Sequence, residues 1–197
     1  MCDLRNMIEE IMYNKIQKFR DGIFALRTRR FGKVAEIMIK KLYGYSFSMC
    51  KEYDLKGDDV RVEVKFSTVV EQNNKRITED NVIDQCSKAN ASARMLMCSE
   101  QALSRFDCNI QQVKCDNFDI LYYGLFFADK IQIFKIASTD IKNDKDIKYS
   151  DKQHSNSVGE GQFHINDSTY AHHKECYFDK EITYKDLYNL FDGKLLL

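Results

Sequence analysis

Apolar residues recur along this chain at two spacings, every three to four positions and then every two, and the change between them outlines the fold. Near the start, Leu4, Met7, Ile8, Ile11, Ile16 and Phe19 repeat at helical spacing, with Asp3 placed as a helix cap and Asp21-Gly22 as a stop. That stripe is either core packing or the seam of a dimer. A second helical pattern begins between Ala25 and Arg30, buries Val34, Ala35, Ile37, Met38 and Leu42, and ends at Tyr43 before Gly44. The period then drops to two. Val60, Val62, Val64 and Phe66 alternate with Arg61, Glu63, Lys65 and Ser67, which places the apolar set on one face of a strand. An extended run precedes it, and Gly57-Asp58-Asp59 supplies turn chemistry between the two, so residues 51–67 read as a β-hairpin.

Beyond a polar stretch at 71–76, the spacing predicts a helix over 78–104. Its apolar set is Val82, Ile83, Ala89, Ala93, Leu96 and Met97, and its polar set is Gln85, Lys88, Asn90 and Arg94. Two strands follow, 118–127 and 130–136, joined by Ala-Asp-Lys; the first is apolar on both faces, as a central strand should be. Residues 138–161 turn polar and read as one long loop, residues 162–166 as a short edge strand, and Thr183 as the cap of a last helix ending near Phe191. The order predicts an α/β fold in a single domain over 1–197, a central mixed β-sheet flanked by helices. Residues 1–137 would form the core with its N-terminal helices, and residues 138–197 a loop-rich C-terminal region.

Composition narrows the partners more than the fold. Thirty basic and thirty acidic residues cancel, so there is no global basic footprint, and any attraction to nucleic acid must come from local charge clusters. Seven cysteines at irregular spacing, with no Cys-x-x-Cys, point to a reducing interior rather than a disulfide framework. No signal-peptide plan opens the chain and no apolar run reaches membrane-spanning length, so the expected location is cytoplasmic.

The period of two also sets out the candidate chemistry. Glu63 and Lys65 fall side by side on the non-core face of their strand, and Asp54 faces them from the strand before the turn. Two carboxylates and an ammonium at one sheet edge make a seat for a hard divalent cation and an activated water. The acid-x-Lys triplet alone discriminates nothing, since it also occurs at Asp54, Asp140, Asp146 and Asp192. Only the triplet at Glu63 lies in a long alternating strand behind a turn and an acid-bearing strand. The alternative is an ordinary solvated strand face.

Asp54, followed after the turn by Glu63-Val64-Lys65, resembles the core of the PD-(D/E)XK nucleases, the superfamily of most type II restriction endonucleases; Tyr53 stands where the family name has proline. The resemblance implies a restriction-endonuclease-like core and Mg²⁺-dependent hydrolysis of double-stranded DNA. One or two Mg²⁺ ions would be held by Asp54, Glu63 and the Val64 carbonyl, with Lys65 orienting or deprotonating the attacking water. Gly32-Lys-Val-Ala-Glu36 resembles the family's extra glutamate on the preceding helix; an i,i+4 pair of Glu36 with Lys40 is the alternative. Arg27, Arg29, Arg30 and Lys33 would hold phosphates. Gln85 or Lys88 would approach the metal. Base readout would fall to Gln153, His154, Asn156, Gln162, His164 and Asn166, unless these belong to a solvated loop. A homodimer would match a palindromic site.

Two other readings stay open: a repair, recombination or phage-type nuclease directed by DNA structure, and a non-catalytic DNA- or protein-binding module with the same fold. His172-His173-Lys-Glu-Cys176 reads as half of a zinc site with no partner ligands at usable spacing, and no cysteine lies in an activating context.

Overall fold

The computed structural model describes residues 2–70, 76–88, 97–101, 106–153 and 157–193. Helices α1 (Cys2–Phe24) and α2 (Thr28–Tyr43) lead into the short strands β1 (Ser46–Phe47) and β2 (Leu55–Lys56) and the long strand β3 (Arg61–Thr68). Helix α3 (Val82–Lys88) and a 3-10 turn (Ser99–Gln101) precede β4 (Asp107–Val113), β5 (Ile120–Phe126) and β6 (Lys130–Ala137). The chain continues through α4 (Ser138–Asn143), β7 (Ser150–Gln153), β8 (Ser157–Asn166), α5 (Tyr170–Cys176), β9 (Phe178–Thr183) and α6 (Tyr184–Phe191).

The fold is α/β. Six strands form a mixed central sheet in the order β1-β2-β3-β5-β6-β9, in which β3 and β5 run parallel and the other neighbours antiparallel. A second sheet, β4-β8-β7, is antiparallel. On one face of the central sheet, Val62, Val64, Tyr122, Phe126 and Ile133 pack with Ala35, Met38 and Ile39 of α2 and Leu187 of α6. On the other, Leu121, Tyr123, Leu125 and Phe134 pack with Cys108 and Ile110 of β4 and Phe163 and Ile165 of β8. β5 is thus buried on both faces, as its unbroken apolar run predicts. Gly44 ends α2 at φ 75°, a left-handed conformation that glycine adopts without strain, and its N–H bonds the Lys40 carbonyl. Thr183 and Asp186 close a reciprocal capping box at the start of α6, which fixes that helix where its sequence predicts it.

Several expectations need correction. Asp3 lies inside α1, which runs past Asp21-Gly22 to Phe24. The stripe of α1 is split: Ile16 is buried and Phe19 packs edge-on against Tyr188 and Phe191 of α6, but Met7, Ile8 and Ile11 are 52, 56 and 60 % exposed. The helix expected over 78–104 is represented among the described residues by α3 and the 3-10 turn at Ser99–Gln101, and α3 turns the other way, with Val82 and Ile83 exposed and Gln85 buried. Met97 is tied by its own backbone, N–H to the Val69 carbonyl and carbonyl to the Ala128 N–H, which holds it outside any helix.

The region 138–161 is no long loop, because it supplies α4, β7 and the start of β8. Residues 162–166 belong to the middle strand of the second sheet, not to an edge. Among the described residues, no helix is long and apolar enough to cross a membrane. Cys50, Cys86, Cys98, Cys108, Cys115 and Cys176 are free thiols.

Candidate active site

The hairpin at β2–β3 builds the site by ending early. Leu55 pairs with Val62 and Lys56 with Arg61, and the Gly57 N–H closes the turn on the Val60 carbonyl at 2.9 Å. One residue before β2, the Asp54 N–H still reaches the Val62 carbonyl at 3.1 Å. There the backbone ladder stops, and the Asp54 carboxylate takes over, accepting the Val64 N–H at 3.0 Å. A charge-assisted bond of this type holds a carboxylate more firmly than a neutral one would. From Val64 onward, the edge of β3 that faces away from β5 is left unpaired by β2, while β5 holds its other edge as far as Thr68.

Glu63 and Lys65 share the face of their parallel partners Leu121 and Tyr123. That face is not solvated: Glu63 is only 7 % exposed. Lys65 Nζ lies 2.5 Å from Glu63 Oε1. Burial pushes the Glu63 carboxyl up to about 7; the Lys65 ammonium pulls it down, and the nearby carboxylates of Asp54 and Glu36 push it up again. Three acids and two lysines, Lys33 and Lys65, thus share this end of the hairpin.

Glu36, on α2, acts on this group through its charge. It is ion-paired with Lys33 at 2.5 Å, not with Lys40, whose ammonium lies over the Phe47 ring. Lys33 also lies over Phe47, at 4.1 Å, so it is held by Glu36 and an aromatic face rather than left for a phosphate. Arg27, Arg29 and Arg30 are exposed at the start of α2, with no ion pair among the described residues.

Beyond the site, a cleft of about 690 Å³ opens between the α1–α2 turn (Leu26, Arg27, Thr28), the end of β3 (Phe66, Ser67, Thr68) and β4 (Asn109, Gln111). Ser67 lies two residues from Lys65 on the same strand face, about 7 Å along the strand. The polar face of the second sheet makes the far wall. Asn109 stands opposite His164 and Gln111 opposite Gln162. Gln162 and His164 are engaged within the sheet, Gln162 accepting from Asn109 at 2.9 Å and His164 pairing with Asp107 at 2.7 Å. Asn109 Oδ1 is buried without a hydrogen-bond partner.

Other expected residues fall elsewhere. Asn166 is structural, its Oδ1 accepting the N–H groups of Ser168 and Thr169. Gln85 is buried and donates to its neighbour Asp84. The Lys88 and Gln153 side chains, His154 and Asn156 lie outside the described residues, as do Asn90 and Arg94.

Asp54 and Glu63 are oxygen donors of the kind that Mg²⁺ takes. Two carboxylates at an open strand edge suffice for an ion that keeps several of its waters. The hairpin acids are nevertheless not the most tightly gathered ligand set. Among the described residues, the group of three ligating side chains whose donor atoms all lie within 4.8 Å of one another is Asp144, Asp146 and His172. The sequence singles out His172, whereas Asp146 falls in a stretch that reads as loop. The missing signal was spatial, since α5 returns beside the α4–β7 loop.

Compared with known proteins, the chain matches no family model, no curated protein and no solved structure. Its chemistry has to be read from its own geometry.

Proposed function

We propose that this chain is a Mg²⁺-dependent endodeoxyribonuclease of the PD-(D/E)XK type with a restriction-endonuclease-like core, and within that type a sequence-specific type II restriction endonuclease. One observation carries the reading. A buried Glu63, its carboxyl raised to about 7, is ion-paired with Lys65 and feels the charges of Asp54 and Glu36, at the strand edge where backbone pairing with β2 stops. A folded chain does not gather two further acids around a buried carboxyl without cost, and a divalent cation offsets that cost.

Bound by Asp54, Glu63 and the Val64 carbonyl, Mg²⁺ would supply Lewis acidity and a water of lowered pKa. The protein's own groups do the rest. The Val64 N–H fixes the Asp54 carboxylate, so that ligand needs no reorganisation. Lys65, paired with Glu63 here, would orient the attacking water through its Nζ and offset charge growing on the phosphate. Glu36, on α2, accepts a hydrogen bond from a second water. Arg27, Arg29 and Arg30 hold phosphates at the mouth of the cleft. Asn109, Gln111, Gln162 and His164 offer amide and imidazole groups to base edges from the opposite wall. The exposed Met7, Ile8 and Ile11 face of α1 serves a two-fold dimer.

The test is incubation of the purified protein with mixed plasmid and phage DNA, with Mg²⁺ or with EDTA, beside a Lys65→Ala variant. Discrete fragments that vanish with EDTA and in the variant support the reading and give the recognition site by end sequencing. Metal-dependent smearing moves it to a structure-directed nuclease. Mg²⁺-indifferent binding without cleavage leaves a binding module.

A further inference from the structure

We propose that Asp144, Asp146 and His172 form a second metal site, separate from the hairpin, that binds one Zn²⁺ per chain and clamps the α4–β7 loop to α5.

The donor geometry is already assembled. Asp144 follows the last residue of α4, and its Oδ1 accepts the Asp146 N–H at 2.8 Å, which turns the loop and brings the two carboxylates together. His172 comes from α5, and its Nε2 lies 2.6 Å from Asp144 Oδ2. All three donor atoms lie within 4.8 Å of one another. Zinc bonds of roughly 2.0–2.2 Å in tetrahedral geometry separate ligand atoms by about 3.3 Å. The 2.6 Å contact therefore opens by less than 1 Å when the ion replaces the proton between nitrogen and oxygen.

An independent observation is the support behind His172 and Asp144. A metal-binding histidine uses its second ring nitrogen for a bond that fixes its tautomer and orientation. Here the second nitrogen, Nδ1, lies 3.7 Å from the Cys176 sulfur, one turn further along α5. Asp144 Oδ2 also accepts the Tyr177 hydroxyl at 2.5 Å. Cys176 lies on the far side of the ring from the carboxylates and is a positioning residue, not a ligand.

One imidazole and two carboxylates select a borderline ion. Mg²⁺ prefers an all-oxygen shell and dehydrates reluctantly, whereas imidazole suits Zn²⁺. Three protein ligands leave a fourth position for water.

The test is calorimetric titration of the metal-stripped full chain with Zn²⁺ alone and with Mg²⁺ alone, followed by the Co²⁺ absorption spectrum. The expected result is one Zn²⁺ per chain, bound at least tenfold more tightly than Mg²⁺. Affinity should fall at least tenfold in Asp146→Asn, an exposed position whose change leaves the circular dichroism and metal-free Tm unaltered. Cys176→Ser should keep the stoichiometry, and Co²⁺ should give visible d–d bands without a thiolate charge-transfer band. Absence of stoichiometric Zn²⁺ binding overturns the proposal. Undiminished binding in both Asp146→Asn and His172→Gln does so too, as does a thiolate band that disappears in Cys176→Ser.

Discussion

Lys65 Nζ and Glu63 Oε1 lie 2.5 Å apart on one face of β3, and this pair partly neutralises a carboxyl that burial would otherwise drive further towards its protonated form. The same lysine is the proposed source of positive charge at the reacting phosphate. Its two roles exclude each other at any instant, so the state of Glu63 decides which one Lys65 fills.

Removing Lys65 should therefore separate turnover from binding. Lys65→Ala is expected to lose cleavage by about 10²–10⁴-fold, the range for a group that acts on proton transfer and charge in the transition state. Its DNA affinity measured with Ca²⁺ in place of Mg²⁺ should stay within a few-fold of the parent. Equal losses in both would show that Lys65 binds DNA and takes no part in the reaction.

Glu63 makes stability depend on pH in a defined direction. Its ordinary value is 4.5 and its value in the folded chain is about 7, so the folded state keeps a proton that the unfolded state releases between them. The stability this proton contributes is complete below about 4.5 and is lost as pH rises through about 7. Glu63→Gln stays neutral throughout. It should match the parent at pH 4 and exceed it at pH 8, by on the order of 2–3 kcal/mol as an upper bound. Urea unfolding of both proteins at the two pH values, without metal, checks this. A constant difference across pH would remove the buried-carboxyl argument on which the site rests.

Asp54 can be tested by splitting its structural job from its chemical one. Asparagine retains an oxygen that can accept the Val64 N–H, so Asp54→Asn should unfold within about 1 kcal/mol of the parent; Asp54→Ala leaves that N–H without its partner and should cost about 1–3 kcal/mol. Both should lose Mg²⁺-dependent cleavage. Cleavage retained by Asp54→Asn would exclude Asp54 as a metal ligand.

These predictions draw on residues that were legible in the sequence, and the reason is local. Asp54, Glu63 and Lys65 sit in one hairpin, where the two-residue period and a short turn set the register almost unaided. The central strands β5 and β6 were legible for the same reason. The second sheet was not. In β4 the buried residues Cys108 and Ile110 keep the period, but a register shift between Gln111 and Val113, with Gln112 at φ 58°, breaks it. Its partner β8 carries Glu160, Gln162, His164 and Asn166, polar enough to read partly as loop. The burial of Glu63 could not be read either, because the elements that cover its face come from distant parts of the chain. The pairing of Asp144 with His172 spans 28 residues and depends on the path of α5.

The expected dimer has a surface available to it. A helix stripe was predicted to be core or seam, and the fold assigns only its C-terminal half to the core: Ile16 is buried, whereas Met7, Ile8 and Ile11 are more than half exposed. Apolar residues grouped on one exposed helix face are uncommon in a chain that works alone. A two-fold dimer would match a two-fold DNA site cut on both strands. The double change Ile8→Asp with Ile11→Asp should convert a dimer to a monomer by light scattering while leaving the circular dichroism unchanged, since neither side chain is buried in the fold. On supercoiled plasmid it should turn linear product into nicked circles. A parent that is monomeric at micromolar concentration would remove the dimer from the proposal, leaving the metal site at the hairpin to stand or fall on its own tests.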